Sequence, residues 1–486
     1  MIFNSFIFLA FFPIVALLFY LLPYKPRRVM LLAASYFFYM YWEPRLILLI
    51  LFTTAVSYGA ALIIDGTGKK GLKKLCLAAA LAVCLGVLFF FKYFNFFAGL
   101  AFGIGSLFGG GAKPPVLDLI LPVGISFYTF QTLSYVIDVY RGKFKPEKCF
   151  GLYALFVSFF PQLVAGPIER PQDLIPQLKA DVSFRNNLKN GDVSAGLKLM
   201  ALGFFKKIAV ADVLALAVNS VYNSENLSEM TTLSVVTATA LFGVQIYCDF
   251  SGYSTIALGC ARVLGIKLTD NFNSPYSAVT IRDFWSRWHI TLSTWFRDYL
   301  YIPLGGNRKG KARTLVNLMI VFLASGLWHG ASLTFVIWGV LHGLYQVVGR
   351  LTEGLRGRLY SRLGVGGDSV GTAVWKRVFT FTLVTFAWMF FRANDLGDLV
   401  TLFRCLFSGG SVGTAMSQLG FGAVYMLTVI AAVISLPIAE RAVRRDLTGE
   451  NHAGGAVYLY LVSGTAFAWM YLLSLGVTSS FICFQF

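Results

Sequence analysis

Apolar runs long enough to cross a bilayer recur from the first residues to the last, and no other feature of the chain limits its fold so strongly. A hydrocarbon core takes about 20 apolar residues as a helix. Runs of that order lie at 3–22, 46–64, 233–264 and 315–349, among others. Backbone amides find no water partners in lipid, so each run is expected to be helical. Of the 486 residues, 57% are hydrophobic and 13% charged, against about 25% charged in a soluble domain. A soluble enzyme is excluded. The chain reads as an all-α polytopic membrane protein, one transmembrane domain over 1–486. Further candidate spans are 29–42, 75–91, 119–140, 149–165, 197–221, 375–391, 420–439 and 456–475. Some are too long or too broken for one crossing, which predicts about eleven transmembrane helices plus re-entrant pieces.

Forty-one Lys and Arg against 23 Asp and Glu leave a formal charge of +18. In a soluble protein that excess would point to nucleic acid. Here it sits in short loops, where it sets topology, so the expected surroundings are membrane lipids and no nucleic acid. Lys25, Arg27 and Arg28 make a basic loop, Glu43 and Arg45 cancel, and Lys69, Lys70, Lys73 and Lys74 are basic again. Lys113 and Asp118 cancel in turn, before Arg141, Lys143, Lys145 and Lys148. Basic loops face the cytoplasm, which places the N-terminus outside. Arg441, Arg444 and Arg445 mark a late cytoplasmic loop, so the last span runs outward and 476–486 is expected as an outer-face tail. Both termini are expected outside. The first charge is Lys25, so the first run lacks a basic n-region and should remain as a span.

Two stretches break the apolar pattern. Residues 166–194 are polar and punctuated by proline, a cytoplasmic loop with short helical pieces. Residues 266–314 interleave aromatics with Arg282, Asp283, Arg287, Arg297 and Asp298. That mixture is too polar for lipid and too apolar for a free loop. It predicts a cytoplasm-facing re-entrant segment, since irregular backbone at membrane depth is tolerated where it lines a cavity.

Four histidines occur. His452 lies in a polar loop and reads as inert. His342, on an apolar helix, reads as a packed, hydrogen-bonded core residue. His329 stands apart because of its frame. The uncharged run 315–348 is too long for one perpendicular crossing and has basic residues at both ends (Arg308, Lys309, Lys311 and Arg313, then Arg350). It should go up and return, with SGLWHGAS near the turn. Residues 315–325 rise about 17 Å, which puts His329 near the membrane centre. An ionisable group at that depth is a functional-site hypothesis by default. For His289, in FWSRWHITLSTWFRDY, two readings stand: it orients a ligand, or it caps its segment.

Several motifs fail. GGNRKGKA has Ala312 where a phosphate-binding loop needs Ser or Thr. There is no HExxH, no G-x-S-x-G and no His/Cys metal spacing, so no metal is expected. The seven cysteines lack zinc-like spacing; six read as small core residues. What remains is a buried base, suited to transfer between a bound donor and a hydroxyl acceptor.

DFWSRWHITLSTWFRDYLYIPLGGNRKGK (283–311), followed by SGLWHGASLTFVIWGVLHG, closely resembles the membrane-bound O-acyltransferase (MBOAT) family in its alginate O-acetyltransferase-like branch. SFYTFQTLSYVIDVYRG (126–142), FFPQLVAGPIERPQDLIPQL (159–178) and YCDFSGYSTIALGCARVLGI (247–266) extend the resemblance over nearly the whole chain. It implies helices ringing a central funnel, with His329 at the family's catalytic histidine and His289 at its second motif histidine. It further implies a cytoplasmic acyl-CoA, such as acetyl-CoA, as donor substrate with no bound cofactor; the related D-alanylation branch uses a carrier protein. The implied acceptor is an exported polysaccharide or cell-wall polymer, and the implied partner is an acyltransferase- or esterase-like protein on the outer face of a bacterial cell membrane.

With that frame, the segment 282–311 is expected to form the donor's entry. Arg287, Arg308, Lys309 and Lys311 would attract phosphates, and Trp285, Trp288 and Trp295 would line the passage. Trp328, Asn271 and Asp249 join them as donor-binding candidates. Some bacterial relatives end in Phe-Ile-Tyr-Phe-x-Phe, whereas this chain ends FICFQF. Cys483 therefore stands as a candidate acyl relay, the alternative being a tail that only packs. Two other functions remain open from sequence: D-alanyl transfer to teichoic acid, and a transporter or flippase of lipid-linked sugar. A transporter would ordinarily show paired repeats, and none is visible.

Overall fold

A computed structural model describes residues 1–109, 113–362, 369–449, 455–476 and 482. Among them every regular element is helical. Among the described residues seven helices are long and apolar enough to span a bilayer: Pro44–Gly66, Lys70–Leu107, Thr232–Val263, Lys311–His329, Val370–Arg392, Ala423–Thr448 and Gly455–Ser474. Phe6–Leu21 is apolar but shorter. Leu459 and Phe467 are among many large apolar side chains left exposed, as suits surfaces facing lipid.

Chain packing divides the molecule into two units, residues 1–204 with 253–269, and residues 205–252 with 270–486. The first unit begins at Phe6–Leu21, whose first turn is capped by Ser5 accepting the Phe8 amide at 3.2 Å. Phe3, Phe8 and Phe38 pack with Tyr253, the Phe3 and Tyr253 rings stacking at 4.4 Å. The Asp192–Phe204 helix crosses the 253–263 turns at Gly196 and Gly259. A Cβ at either would lie within 2.7 Å of the other's carbonyl oxygen, so only glycine permits the approach.

Three boundaries differ from the sequence expectation. The run at 119–140 becomes helical only from Ile125, because Pro122 and the left-handed Gly124 (φ 76°) cannot sit inside a helix. The run at 149–165 stops at Ser158, ahead of Pro161, and turns through 159–166. The span expected to end at 91 continues through a wide helical turn, Phe89–Tyr93, into Phe94–Leu107. The polar stretch 166–194 contains two short helices, Pro171–Lys179 and Phe184–Lys189.

The second unit is organised around an antiparallel hairpin of Lys311–His329 and Leu333–Leu351, turning at 330–332. Glycines set its closeness. A Cβ at Gly326 would lie 2.4 Å from the Phe335 oxygen, and one at Gly339 2.4 Å from the Phe322 oxygen. The Phe205–Asp212 segment is a π-helix. Just beyond it the Tyr425 hydroxyl accepts from the Ala217 amide at 2.9 Å and donates to the Val213 oxygen at 2.8 Å, standing in for a backbone bond of the ladder.

Candidate active site

The hairpin turn and a break between two short helices bring two histidines together. Ile281–Arg287 starts at Thr280, whose hydroxyl accepts the Asp283 amide at 3.0 Å. Asp283 lies in the first turn, where the helix dipole favours a carboxylate, and Arg287 pairs with it at 2.7 Å one turn later. Ile290–Phe296 follows, and between the two helices His289 takes a left-handed backbone, φ 43° and ψ 55°. Helical continuity is lost there, and the imidazole turns inward, buried against Phe250 with ring centroids 4.6 Å apart and edge to face.

His329 is the last residue of Lys311–His329. Its ring lies 6.5 Å from that of His289, 5.0 Å from Trp328, 5.1 Å from Trp338 and 5.3 Å from Phe391, centroid to centroid. Trp328 also flanks His289 at 5.7 Å. The two histidines, forty residues apart in sequence, thus share one aromatic shell.

Trp285 is buried and donates its Nε1–H to His342 Nδ1 at 3.2 Å. His342 in turn packs on Trp338 at 4.9 Å, and Trp338 on His329. A core histidine bonded through one nitrogen is what the apolar helix implied. Trp288 stacks on Phe284 at 5.4 Å and meets Trp388 at 5.1 Å. Trp295 packs on Phe296 and Tyr299 of its own segment. Arg287 is half-buried on Asp283, and Arg308, Lys309 and Lys311 are exposed. Asn271 is buried and accepts from the Thr291 hydroxyl at 2.6 Å. His452 and Cys483 lie outside the described residues.

Asp249 sits in a buried charge cluster that the sequence reading passed over. Lys207 Nζ lies 2.5 Å from Asp249 Oδ1 and 2.8 Å from Asp212 Oδ1. Asp249 Oδ2 accepts the amide of Ile482 at 2.7 Å. The neighbouring Lys206 pairs with Glu440 at 2.6 Å, where the Tyr247 hydroxyl also donates. Two adjacent lysines inside the apolar run 197–221 were the available signal, because intramembrane charge is expensive unless paired.

Membrane-spanning helices, with His329 half-buried beside the buried His289, suit an enzyme embedded in a membrane. This chain belongs to the MBOAT, or membrane-bound O-acyltransferase, family, whose model matches residues 150–392. It is 37% identical over 439 residues to a probable alginate O-acetylase, AlgI, of Pseudomonas putida, covering 90% of this chain and 86% of that one. A peptidoglycan O-acetyltransferase of Helicobacter pylori is 36% identical over 405 residues, 78% of this chain and 73% of the relative. The teichoic acid D-alanyltransferase of Bacillus subtilis is 28% identical over 241 residues, 47% of this chain and 59% of the relative. The protein is a membrane-bound O-acyltransferase.

Proposed function

We propose that the chain moves an acetyl group from a cytoplasmic thioester, acetyl-CoA, to a hydroxyl of an exported polysaccharide or cell-wall polymer. The observation that carries this reading is the pairing of His329 with His289 inside one aromatic shell. The names of the relatives support a polymer acceptor, and the longer match to O-acetylases favours acetyl over D-alanyl transfer. In this reading the acceptor oxygen attacks the thioester carbonyl while His329 takes the hydroxyl proton. The C–O bond forms, the C–S bond breaks, and the imidazolium returns the proton to the departing thiolate. His289 orients the reacting groups. The pantetheine arm enters along the segment 266–314 past Trp285, Trp288, Trp295 and Trp328, with Arg287 at its edge. Asn271 and Asp249 direct their oxygens to partners within the protein, which supports anchoring roles for both. The setting is a bacterial cell membrane with both termini outside, and an outer-face partner protein completes delivery to the polymer.

The transfer runs either directly or through Cys483. In the relay, the Cys483 thiolate displaces the donor thiolate to form a new thioester, which the acceptor hydroxyl then cleaves, restoring the thiol. Ile482, next to Cys483 in the chain, bonds its amide to Asp249, which supports an inward position for residue 482 itself. Single turnover of purified protein with labelled acetyl-CoA tests both steps. His329→Ala is expected to remain folded in detergent and to lose transfer by about 10²–10⁴-fold. Wild-type turnover in that variant would overturn the assignment. Hydroxylamine-labile label on the C-terminal peptide, lost in Cys483→Ala together with transfer, marks the relay. Undiminished transfer in Cys483→Ala leaves the direct route.

A further inference from the structure

Only two non-glycine residues among those described have a left-handed backbone, Ser274 and His289. A residue with a Cβ is disfavoured at positive φ and persists there when its surroundings over-determine it. Beyond the rings that pack on its imidazole, one residue binds the backbone that follows His289. The Asn271 carbonyl oxygen accepts the amide of Ile290 at 3.0 Å. Its side-chain Oδ1 accepts the amide of Thr291 at 3.3 Å and the Thr291 hydroxyl at 2.6 Å. The first amides of a helix have no partner inside the helix. Asn271 therefore takes both peptide groups that follow His289, together with the nearest side chain. His289, Asn271 and Thr291 are all buried, so water does not compete for these bonds.

The consequence falls on the imidazole. Trp288 is already extended (φ −104°, ψ 128°), so the chain leaves Ile281–Arg287 there, and the backbone angle at 289 decides where the ring is carried as Ile290–Phe296 begins. With left-handed backbone, the ring stands edge-on to Phe250 and 6.5 Å from the ring of His329. We propose that Asn271 is a positioning residue of the transfer reaction, holding residue 289 in its left-handed conformation so that His289 faces His329. The proposal rests on the role given to His289 above.

A residue that merely packs the core would lower stability by the same amount whatever stands at 289. A backbone anchor behaves differently, because glycine adopts the left-handed region without steric cost. Thermal unfolding of the full chain in detergent is measured for Asn271→Ala in the wild-type and in the His289→Gly background. The expected Tm loss in the wild-type background is at least twice that in the glycine background; equal losses overturn the anchor. In acetyl-CoA consumption, Asn271→Ala is expected to lower kcat by about tenfold to a hundredfold, as small misplacements of reacting groups do, with KM for acetyl-CoA little changed. The Thr291 pair carries the test if Asn271→Ala fails to fold. Thr291→Ser keeps the hydroxyl and should retain wild-type kcat, whereas Thr291→Val loses the 2.6 Å bond and should be slower. Equal rates in the two overturn the proposal. Wild-type turnover in His289→Ala would overturn the role of His289 itself, and the thermal coupling, which involves no turnover, tells the two failures apart.

Discussion

Glu169 shows how burial alone changes the chemistry of one residue. Its carboxyl is almost wholly buried in the loop after 159–166 and accepts the Thr269 amide at 2.6 Å and the Thr269 hydroxyl at 3.1 Å. Loss of water outweighs these bonds and pushes its pKa up to about 7 from 4.5. The folded chain therefore binds this proton more tightly than the unfolded chain does. Its contribution to stability is complete below about pH 4.5 and is lost as pH rises through about 7, with a span of order 3 kcal/mol. Glu169→Gln fixes the neutral form. The variant is expected to melt above wild type at pH 8, with the gap closing by pH 5; parallel melting curves across that range would contradict the account. The site residues differ in how far the sequence exposes them. His329 stands out as a candidate in the sequence because its run is too long for one crossing and should turn beside it, whereas His342 in the same run reads as core. Asn271 is not legible as an anchor, since its meaning depends on the backbone angle of a residue eighteen positions later. Lys206 and Lys207 were visible as charges, but Glu440, Asp212 and Asp249 became their partners only through the fold.

Among the elements, the Lys311–His329 and Leu333–Leu351 hairpin places the catalytic candidate, and its glycines decide whether it closes. Gly339 faces a backbone oxygen, which cannot swing aside as a side chain would. Gly339→Ala is therefore expected to destabilise the protein by about 1–3 kcal/mol or more through overpacking and to reduce transfer by shifting the turn under His329. Gly349→Ala, on the same helix with nothing within 4 Å of its Cβ, is the control and should match or exceed wild-type stability. Melting temperatures in detergent compare the two; equal behaviour would refute close approach as the reason for glycine. The return of this run was readable from its length and basic flanks. The helix Phe94–Leu107 was not, because its glycines dilute the apolar signal, and the sequence reading closed the preceding span at 91. Nor was the π-helix at Phe205–Asp212 readable. The Tyr425 hydroxyl that serves the adjoining ladder lies more than two hundred residues away from Val213 and Ala217 in the chain.

For the whole molecule, the excess of 18 positive charges has two available explanations, and they meet at one loop. Positive-inside topology accounts for lysines and arginines beside membrane spans without any ligand. In the proposed reading, steering of a phosphate-bearing donor would account for the same charges in the loop before Lys311–His329. Arg308, Lys309 and Lys311 are exposed, and no ion pair is seen for them among the described residues. Arg287, by contrast, is tied to Asp283 and is less available to a donor. Bulk charges of this kind act at long range and are screened by salt over about 10 Å at 0.1 M. Neutralising all three residues to glutamine is therefore expected to raise KM for acetyl-CoA several-fold at low salt, to leave kcat near wild type, and to lose its effect by about 0.5 M salt. Reporter fusions after residues 28, 74 and 148 monitor orientation in the same variant. If the fusions invert or expression collapses while KM stays at the wild-type value, the charges serve topology alone. If KM rises with orientation intact, the loop before Lys311–His329 guides the donor toward the hairpin whose turn carries His329.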